Sequence, residues 1–138
     1  MSREEKFSLS GMRVHLSDGP DVQPLRADAG FWERVTSNRA LCAGRMLGVA
    51  AVRTNDDVHA SKWERHPNGD ELLCVVSGQI DVVLEEPSGE RIVPLEPLTG
   101  FIVPQGVWHR LLVKEPAVLV GVTRHDDTQL RDVLSARP

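Results

Sequence analysis

From residue 45 onward the chain consists of short apolar or alternating segments separated by turn residues. Residues 45–52 form a nearly continuous apolar run, and residues 79–85 alternate, with Ile80, Val82 and Leu84 on one face. Short runs bounded by Pro, Gly, Asn and Ser predict β-strands. We predict strands at 45–52, 58–66, 71–76, 79–85, 91–95, 101–103, 107–113 and 117–123, separated by turns at 67–70, 77–78, 87–90 and 104–106.

This succession of strands predicts the fold class. Turn signals recur about every 8 to 12 residues with almost no helical periodicity, which favours an all-β sandwich or barrel. A closed sheet has no exposed edges and can enclose a ligand cavity. Near the end, Leu130, Val133 and Leu134 have helix-like spacing. Residues 126–138 are therefore predicted to be a tail or a short C-terminal helix.

The first 40 residues are less regular. Glycines and prolines at positions 11, 19, 20, 24 and 30 interrupt any long element. We expect residues 1–40 to be an arm that packs on a barrel formed by residues 41–125. A strand is predicted at 11–16, and residues 31–35 are predicted to be either one helical turn or a short strand. The 138 residues suit a single domain.

Composition excludes several classes of function. Apolar residues make up 41% and charged residues 26% of the chain, as in ordinary soluble proteins. The net charge of −4 and the scattered basic residues argue against nucleic acid and anionic membranes as partners. No membrane span or signal peptide is visible, so a cytoplasmic protein is expected. Cys42 and Cys74 are expected to be reduced thiols.

Two separated stretches carry ligand-type side chains. Side chains two apart on a strand share a face, so Glu64 and His66 project together. The turn at 67–70 returns the chain and places Glu71 beside His66. The second stretch, residues 104–109, ends in His109. Carboxylate oxygen and imidazole nitrogen are common ligands of transition metals, so these residues are candidate ligands. The alternative is a Glu–His pair on a solvated sheet face.

The same residues resemble the two motifs of the cupins. His66, four intervening residues, Glu71, six more and Gly78 match the second half of the first motif. Pro104-x-Gly106-x-x-His109 matches the middle of the second motif. The resemblance covers residues 45–123. It implies a small single-domain cupin, a double-stranded β-helix or jelly-roll barrel, with His66, Glu71 and His109 as metal ligands.

The chain departs from the cupin pattern at several positions. Glu64 stands where the first histidine is usual, and Val58 where motif one opens with glycine. In motif two, Gly100 lies two residues late and Val113 replaces the terminal asparagine. Glu64 is either a fourth ligand or a carboxylate that acts on metal-bound water as a general base, so it is also the candidate catalytic residue. Without Glu64, two histidines and one carboxylate remain, a set also used by non-haem iron oxygenases.

The resemblance implies one divalent transition metal, Fe, Mn, Ni or Zn. It also implies a dioxygenase, isomerase or lyase acting on a small organic molecule. The alternative is a sensor or storage protein that binds a small ligand or metal without turnover. A homodimer is implied as well, and Phe7, Leu9 and Met12 could supply an exchanged strand.

Strand parity predicts the walls of the cavity. Apolar side chains with the parity of the candidate ligands should line it: Leu73, Val75, Ile102, Leu111 and Val113. Such a cavity suits a small organic acid, phenol, enol or dicarbonyl. Trp63 and Trp108 should point to the opposite face, where they pack on the outer sheet or at a dimer contact. His15 and His59 are expected to be partly exposed, and Asp70 to shape its turn.

Overall fold

Two long strands, β5 and β8, organise the molecule. The computed structural model describes residues 6–134. The elements follow the chain as β1 (Met12–Leu16), β2 (Val22–Arg26), α1 (Phe31–Thr36), α2 (Arg39–Cys42), β3 (Arg45–Val52), a 3-10 helix (Asn55–Val58), β4 (Lys62–Arg65), β5 (Glu71–Glu86), β6 (Gly89–Leu95), β7 (Thr99–Val103), β8 (His109–Thr123) and β9 (Gln129–Asp132).

β5 and β8 pair antiparallel from end to end and bend midway, so that each contributes to two half-sheets. The first half-sheet has the order β2-β1-β3-β8-β5-β7 and uses residues 71–75 of β5 and 117–123 of β8. The second has the order β9-β4-β8-β5-β6 and uses residues 80–86 of β5. All pairings are antiparallel. The fold is an all-β jelly-roll barrel, as the sequence predicts.

The bend in β5 depends on Gly78. Its φ is +78°, and a Cβ atom built on it would lie 2.0 Å from the carbonyl oxygen of Pro116. The register between β5 and β8 shifts around this position, which is the mark of a β-bulge. The predicted corner at Ser77-Gly78 is therefore a bulge inside one strand. In the same way, the strands predicted at 107–113 and 117–123 are one strand, β8.

Apolar side chains from the inner faces of both half-sheets form the main core. The fully buried members include Val75, Ile80, Val82 and Leu95. Along β5, buried residues alternate with more exposed neighbours over residues 71–75, whereas residues 80–84 are all buried. The core thus lies between the half-sheets and supports the inner ends of the strands that carry the site.

The N-terminal residues add a hairpin and two short helices. β1 pairs with β3, so β1 and β2 extend the first half-sheet. The strand predicted at 11–16 is confirmed, and residues 31–35 adopt the helical alternative. Phe31 and Val35 of α1 pack on Met46 of β3 in a second apolar cluster. No helix in residues 6–134 has the length and apolar character needed to cross a membrane.

The strand predicted at 58–66 is wrong in its first half. Thr54 and Asp57 form a capping box that starts the 3-10 helix, and His59 ends the helix in the left-handed conformation with φ 51°. Local hydrogen bonding therefore takes the chain out of the sheet before β4 begins at Lys62.

The short C-terminal helix is also wrong for the described residues, because Gln129–Asp132 form β9. β9 pairs with β4, where the ammonium of Lys62 donates to Asp132 and the guanidinium of Arg65 donates to Gln129. An isolated helix of so few residues is unstable in water, whereas pairing with the edge of β4 satisfies the backbone groups.

Candidate metal centre

Four side chains from three strands converge at one end of the barrel. Glu64 lies on β4 and His66 directly follows that strand, whereas Glu71 and His109 are the first residues of β5 and β8. Glu64 and His109 are directly opposed across β4 and β8. One ligand atom from each of the four residues lies within 4.8 Å of the others. The structure thus brings together every candidate ligand predicted from the sequence.

Hydrogen bonds between two loops hold the halves of the cluster together. The backbone N–H of Gln105 donates to Asp70 Oδ1 over 2.7 Å, and its side-chain amide donates to the Pro67 carbonyl over 2.6 Å. The N–H of Gly106 donates to the His66 carbonyl over 3.0 Å. Asp70 therefore does more than shape its own turn: it fixes the loop before His109 to the loop after His66.

The four side chains differ in burial and in spacing. His66 Nε2 lies 2.8 Å from Glu64 Oε1 and 3.3 Å from Glu71 Oε2, and His109 Nε2 lies 2.9 Å from Glu71 Oε1. His66, Glu71 and His109 are buried, whereas the side chain of Glu64 is 38% exposed. Glu71 is thus the central carboxylate, between both imidazoles, and Glu64 is the one that reaches the open side.

Further hydrogen bonds orient the imidazoles and Glu71 from behind. His109 Nδ1 lies 3.0 Å from the Val107 carbonyl, which only accepts, so Nδ1 carries a proton and Nε2 is the nitrogen available to a metal ion. His66 Nδ1 lies 2.9 Å from Thr128 Oγ1, and the Thr123 hydroxyl donates to Glu71 Oε2. Such contacts fix the ring orientation and basicity of metal ligands.

The donor atoms fit a metal ion. His66 Nε2 is fully buried and has no hydrogen-bond partner within residues 6–134, although two carboxylate oxygens lie nearby. One donor atom from each of the four residues lies within 4.8 Å of the others, so a single ion could contact all four. Two imidazole nitrogens and carboxylate oxygens, without sulfur, suit Mn, Fe, Co, Ni or Zn. These four residues could hold a divalent transition metal.

The charges of the cluster are strongly coupled. Burial alone would lower the pKa of His66, but Glu64 and Glu71 outweigh it and raise this pKa to about 9. Burial alone would raise the pKa of Glu71, yet His109 and His66 hold it well below its usual range. A metal ion would therefore replace a proton on His66 and meet an ionised Glu71.

A cavity of about 1060 Å³ opens from the cluster. Its wall includes His125, whose ring centroid lies 5.7 Å from that of His66 and 4.6 Å from that of Trp32. Burial, followed by the charge of His66, lowers the pKa of His125 to about 4. His125 is therefore a neutral imidazole at neutral pH. Apolar side chains form much of the remaining wall, among them Leu73, Leu111 and Leu119.

The predicted cavity wall is confirmed for two residues, since Leu73 and Leu111 line the cavity. Val75 is buried in the core, and Val113 packs against the core. The prediction that Ile102 lines the cavity is wrong, because its side chain is 58% exposed on the outer face. It pairs with the outward-facing Leu72, so its parity on β7 is opposite to that of the candidate ligands.

Neither Trp63 nor Trp108 lines the cavity. Trp63 is buried beside the guanidinium groups of Arg110 and Arg131, and Trp108 stacks with Arg65 and Arg131. The prediction that they pack on the sheet face away from the ligands holds. Each ring is covered by cationic side chains.

Several residues of the site were missed by sequence reasoning. Arg13, Trp32 and Thr123 line the cavity, and Thr128 orients His66. The strand predicted at 11–16 includes Arg13, but only the pairing of β1 with β3 brings Arg13 to the cavity. His15 was expected to be partly exposed and is buried, with Nε2 2.6 Å from the Ala43 carbonyl. His59 is exposed, and both cysteines are free.

Comparison with known proteins gives matches to solved structures alone. No family model matches the sequence, and no curated protein matches it. One solved structure is a cupin-2 domain containing protein from Shewanella frigidimarina, with 18% identity over 56% of this chain and 68% of that chain, and a TM-score of 0.45.

Two enzymes are also similar in structure. Hydroxypropylphosphonic acid epoxidase from S. wedmorenis shares 19% identity over 58% of this chain and 42% of its own, with a TM-score of 0.44. A variant of oxalate decarboxylase from Bacillus subtilis shares 16% identity over 64% of this chain and 24% of its own, with a TM-score of 0.49. This chain thus spans less than half the length of either enzyme.

Because these TM-scores lie below 0.5, the assignment of the fold depends on the chain's own architecture. Two half-sheets share the bent strands β5 and β8, and the loops that carry the motif residues His66, Glu71 and His109 meet at one end of the barrel. The chain therefore has a jelly-roll barrel fold, which is the fold that its resemblance to the cupin motifs implies.

Proposed function

We propose that the protein is a metal-dependent cupin enzyme that acts on a small organic molecule as a dioxygenase, isomerase or lyase. The single observation that supports this proposal most strongly is the convergence of Glu64, His66, Glu71 and His109 on one point at the floor of a cavity. The four residues would hold one divalent ion. The crystallised epoxidase has been studied with Fe(II) and Co(II), and the decarboxylase has Mn(II) centres.

The roles of the four residues would differ according to the burial of their side chains. His66, Glu71 and His109 are buried and oriented from behind, which suits permanent ligands. Glu64 has the only partly exposed carboxylate of the set and lies on the cavity side. Glu64 would accept or return a proton at its Oε atoms while substrate is bound. When bound, the metal supplies Lewis-acid polarisation of substrate oxygen.

Apolar walls and the neutral His125 favour this chemistry. Leu73, Leu111 and Leu119 exclude water from bound substrate, which strengthens electrostatic contacts at the floor of the cavity. His125 offers an uncharged imidazole in the cavity wall, with its ring centroid 5.7 Å from that of His66, and adds no positive charge beside the cluster. A small, largely apolar molecule with oxygen donors fits this arrangement.

Elemental analysis tests the proposal directly. Protein purified without chelator should carry a transition metal at a metal-to-chain ratio close to unity, and His109→Ala should reduce it sharply because a buried ligand is lost. The Glu64→Gln variant separates the two roles of Glu64: retained metal with lost turnover indicates a proton acceptor, and lost metal indicates a ligand. The proposal would be contradicted if the wild type is purified without metal and binds added Zn(II) no more tightly than His109→Ala does.

The second candidate is a sensor or storage protein that binds metal or a small ligand without turnover. Burial of three of the four candidate ligands suits retention of an ion as well as catalysis. The discriminating measurement is conversion of catechols, diketones and aldoses by the metal-loaded protein. Conversion that is lost in Glu71→Ala would exclude this candidate.

We also propose that two copies associate as a homodimer through the outer face of the first half-sheet. Large apolar side chains are exposed there on neighbouring strands, including Leu72 and Val76 of β5 and Ile102 of β7. Contiguous apolar surface of this kind commonly marks a protein interface.

A further inference from the structure

We propose that Arg13 is the recognition group for a carboxylate of the molecule bound in the cavity, so that the substrate or ligand is a small organic acid. This inference rests on the proposed metal site, because the metal would define the other end of the same bound molecule. Arg13 lies on β1 and lines the cavity, outside the four candidate ligands.

Gly48 leaves the space that the guanidinium of Arg13 occupies. Arg13 and Gly48 are directly opposed across β1 and β3. A Cβ atom at position 48 would lie 2.8 Å from Arg13 Nη1. The backbone of Gly48 has no positive φ, so conformational freedom does not require glycine there. The absence of a side chain matters because it lets the guanidinium lie over the strand.

Aromatic rings hold the guanidinium in place. Its Cζ lies 5.1 Å from the ring centroid of Trp32 and 5.5 Å from that of Phe31. Trp32 also contacts His125, which in turn contacts His66 of the metal centre. Stacking fixes the plane of an arginine while its N–H groups remain free to donate. Arg13 is therefore oriented toward the same space as the metal centre.

Arg13 differs from the other cations of the cavity wall in its partners. The ammonium of Lys62 pairs with Asp132, and Arg110 Nη1 donates to the Ala60 carbonyl while its guanidinium stacks on Trp63. Within residues 6–134 Arg13 forms no ion pair. Burial lowers the pKa of Arg13, and Glu64 partly offsets that effect. A half-buried guanidinium without a counter-ion is costly unless a ligand supplies one.

The charge of the loaded site favours an anion. A divalent ion would neutralise the carboxylates of Glu64 and Glu71, so that neither would offset the positive charge of Arg13. A guanidinium binds a carboxylate through two parallel N–H···O bonds. Apolar side chains of the same cavity wall, such as Leu119 and Val49, would contact the carbon skeleton. The site therefore fits a small acid with its carboxylate at Arg13 and its reacting oxygen or carbon near the metal centre.

The test uses Zn(II)-loaded full-length protein and calorimetric titration with benzoate, pyruvate and succinate, each compared with its neutral amide. At least one acid should bind more tightly than its amide. Arg13→Gln should weaken binding of that acid by about tenfold or more, the loss expected for a hydrogen bond to a charged group. Lys62→Gln is the matched control, because Lys62 is a cation of the same wall that already has a partner; this variant should bind the acid as the wild type does.

Gly48→Ala provides a second variant in case Arg13→Gln folds poorly. The added methyl group displaces the guanidinium without straining the backbone, so acid binding should weaken while amide binding is unchanged. Equal affinity for acids and amides, or an acid preference that survives both substitutions, would overturn the carboxylate site.

Metal content of the same samples separates the two proposals. Full Zn(II) occupancy together with an acid preference independent of Arg13 overturns the carboxylate site and leaves the metal centre intact. Wild type that takes up no Zn(II) contradicts the proposed function and removes the carboxylate site with it.

Discussion

Glu71 is held by three neighbouring side chains. Its two carboxylate oxygens face different imidazoles, and Oε2 also accepts a hydrogen bond from the Thr123 hydroxyl. Because the carboxylate is buried and ionised, its position depends on every one of these partners. At the scale of single residues, the geometry of the site therefore depends on the hydroxyl groups that hydrogen-bond to the ligands as well as on the ligands themselves.

Thr123→Val removes the hydroxyl behind Glu71 with little change in volume. We expect metal affinity to fall about 10- to 100-fold, the usual effect of losing a hydrogen bond to a metal ligand. Competition with a chromogenic chelator measures it. Thr99→Val on β7 is the control, because Thr99 is remote from the cluster and should bind metal normally. Unchanged affinity in Thr123→Val would mean that Glu71 is held without the hydroxyl.

The proton on His66 predicts how stability depends on pH in metal-free protein. The pKa of His66 is about 9 in the folded protein and near the ordinary histidine value of 6.5 in the unfolded chain. Both states carry the proton below 6.5, so the stabilisation is fully present there. Between these values only the folded state keeps it, so the free energy of unfolding should fall as pH rises toward about 9.

Urea unfolding in the presence of chelator checks this dependence. The midpoint should decrease across that window in wild type and stay nearly level in His66→Gln, which has no imidazole. A wild-type midpoint that rises with pH would show that Glu64 and Glu71 do not stabilise the imidazolium.

At the scale of elements, the bend in β5 and β8 decides the architecture, since it lets two strands serve both half-sheets. Gly78 and Gly106 both have φ +78°, one in the bulge of β5 and one in the loop before β8. A Cβ at Gly78 would collide with Pro116, whereas nothing lies within 4 Å of a Cβ at Gly106. A comparison of substitutions at the two glycines therefore distinguishes the effect of a steric clash from the effect of the left-handed backbone conformation.

Gly106→Ala should cost about 1 to 2 kcal/mol, the penalty of a left-handed conformation for a residue with a side chain. Gly78→Ala should cost clearly more, roughly 3 kcal/mol or above, because it adds a backbone clash in a packed strand pair. Chemical denaturation of both variants gives the difference. Equal losses would show that β5 and β8 can move apart to accommodate a methyl group.

At the scale of the whole molecule, the inner faces of the half-sheets form the core and the cavity, and the outer faces differ. On the second half-sheet, arginines cover Trp63 and Trp108. On the first, Leu72, Val76 and Ile102 are left exposed. The first half-sheet thus offers exposed apolar side chains on neighbouring strands for a second copy, whereas Ile92 and Leu130 lie on the two opposite edge strands of the second half-sheet.

Ile102→Lys should convert the proposed dimer to a monomer, because a charge placed within an apolar interface is left without a partner. Size-exclusion chromatography with light scattering measures the mass. Ile92→Lys on β6 is the matched control, since Ile92 has nearly the same exposure, 57% against 58%, and should leave the mass unchanged. A wild-type monomer would refute the proposal.

The pattern of apolar residues and turns was enough to predict most strands and the all-β class, and ligand-type side chains together with the resemblance to the cupin motifs predicted the four candidate ligands. Glu64 and His66 share a face because strand geometry has a period of two, and the turn at 67–70 places Glu71 beside them. These features depend on local geometry and short loops, so sequence spacing determines them. A glycine with positive φ occurs both in turns and in β-bulges. Turn signals therefore did not show that Ser77-Gly78 is a bulge within one strand.

Tertiary structure alone decided the surroundings of the ligands. Arg13 reaches the cavity only because β1 pairs with β3, and His125 approaches His66 only because β9 pairs with β4 instead of forming a helix. Thr123, which lies 52 residues after Glu71 in the sequence, donates a hydrogen bond to the Glu71 carboxylate. Contacts between distant segments depend on which strand edges pair and on how the barrel closes, and no local spacing encodes that choice. The sequence by itself therefore determined the candidate ligands, whereas the fold determined what orients them and what could bind beside them.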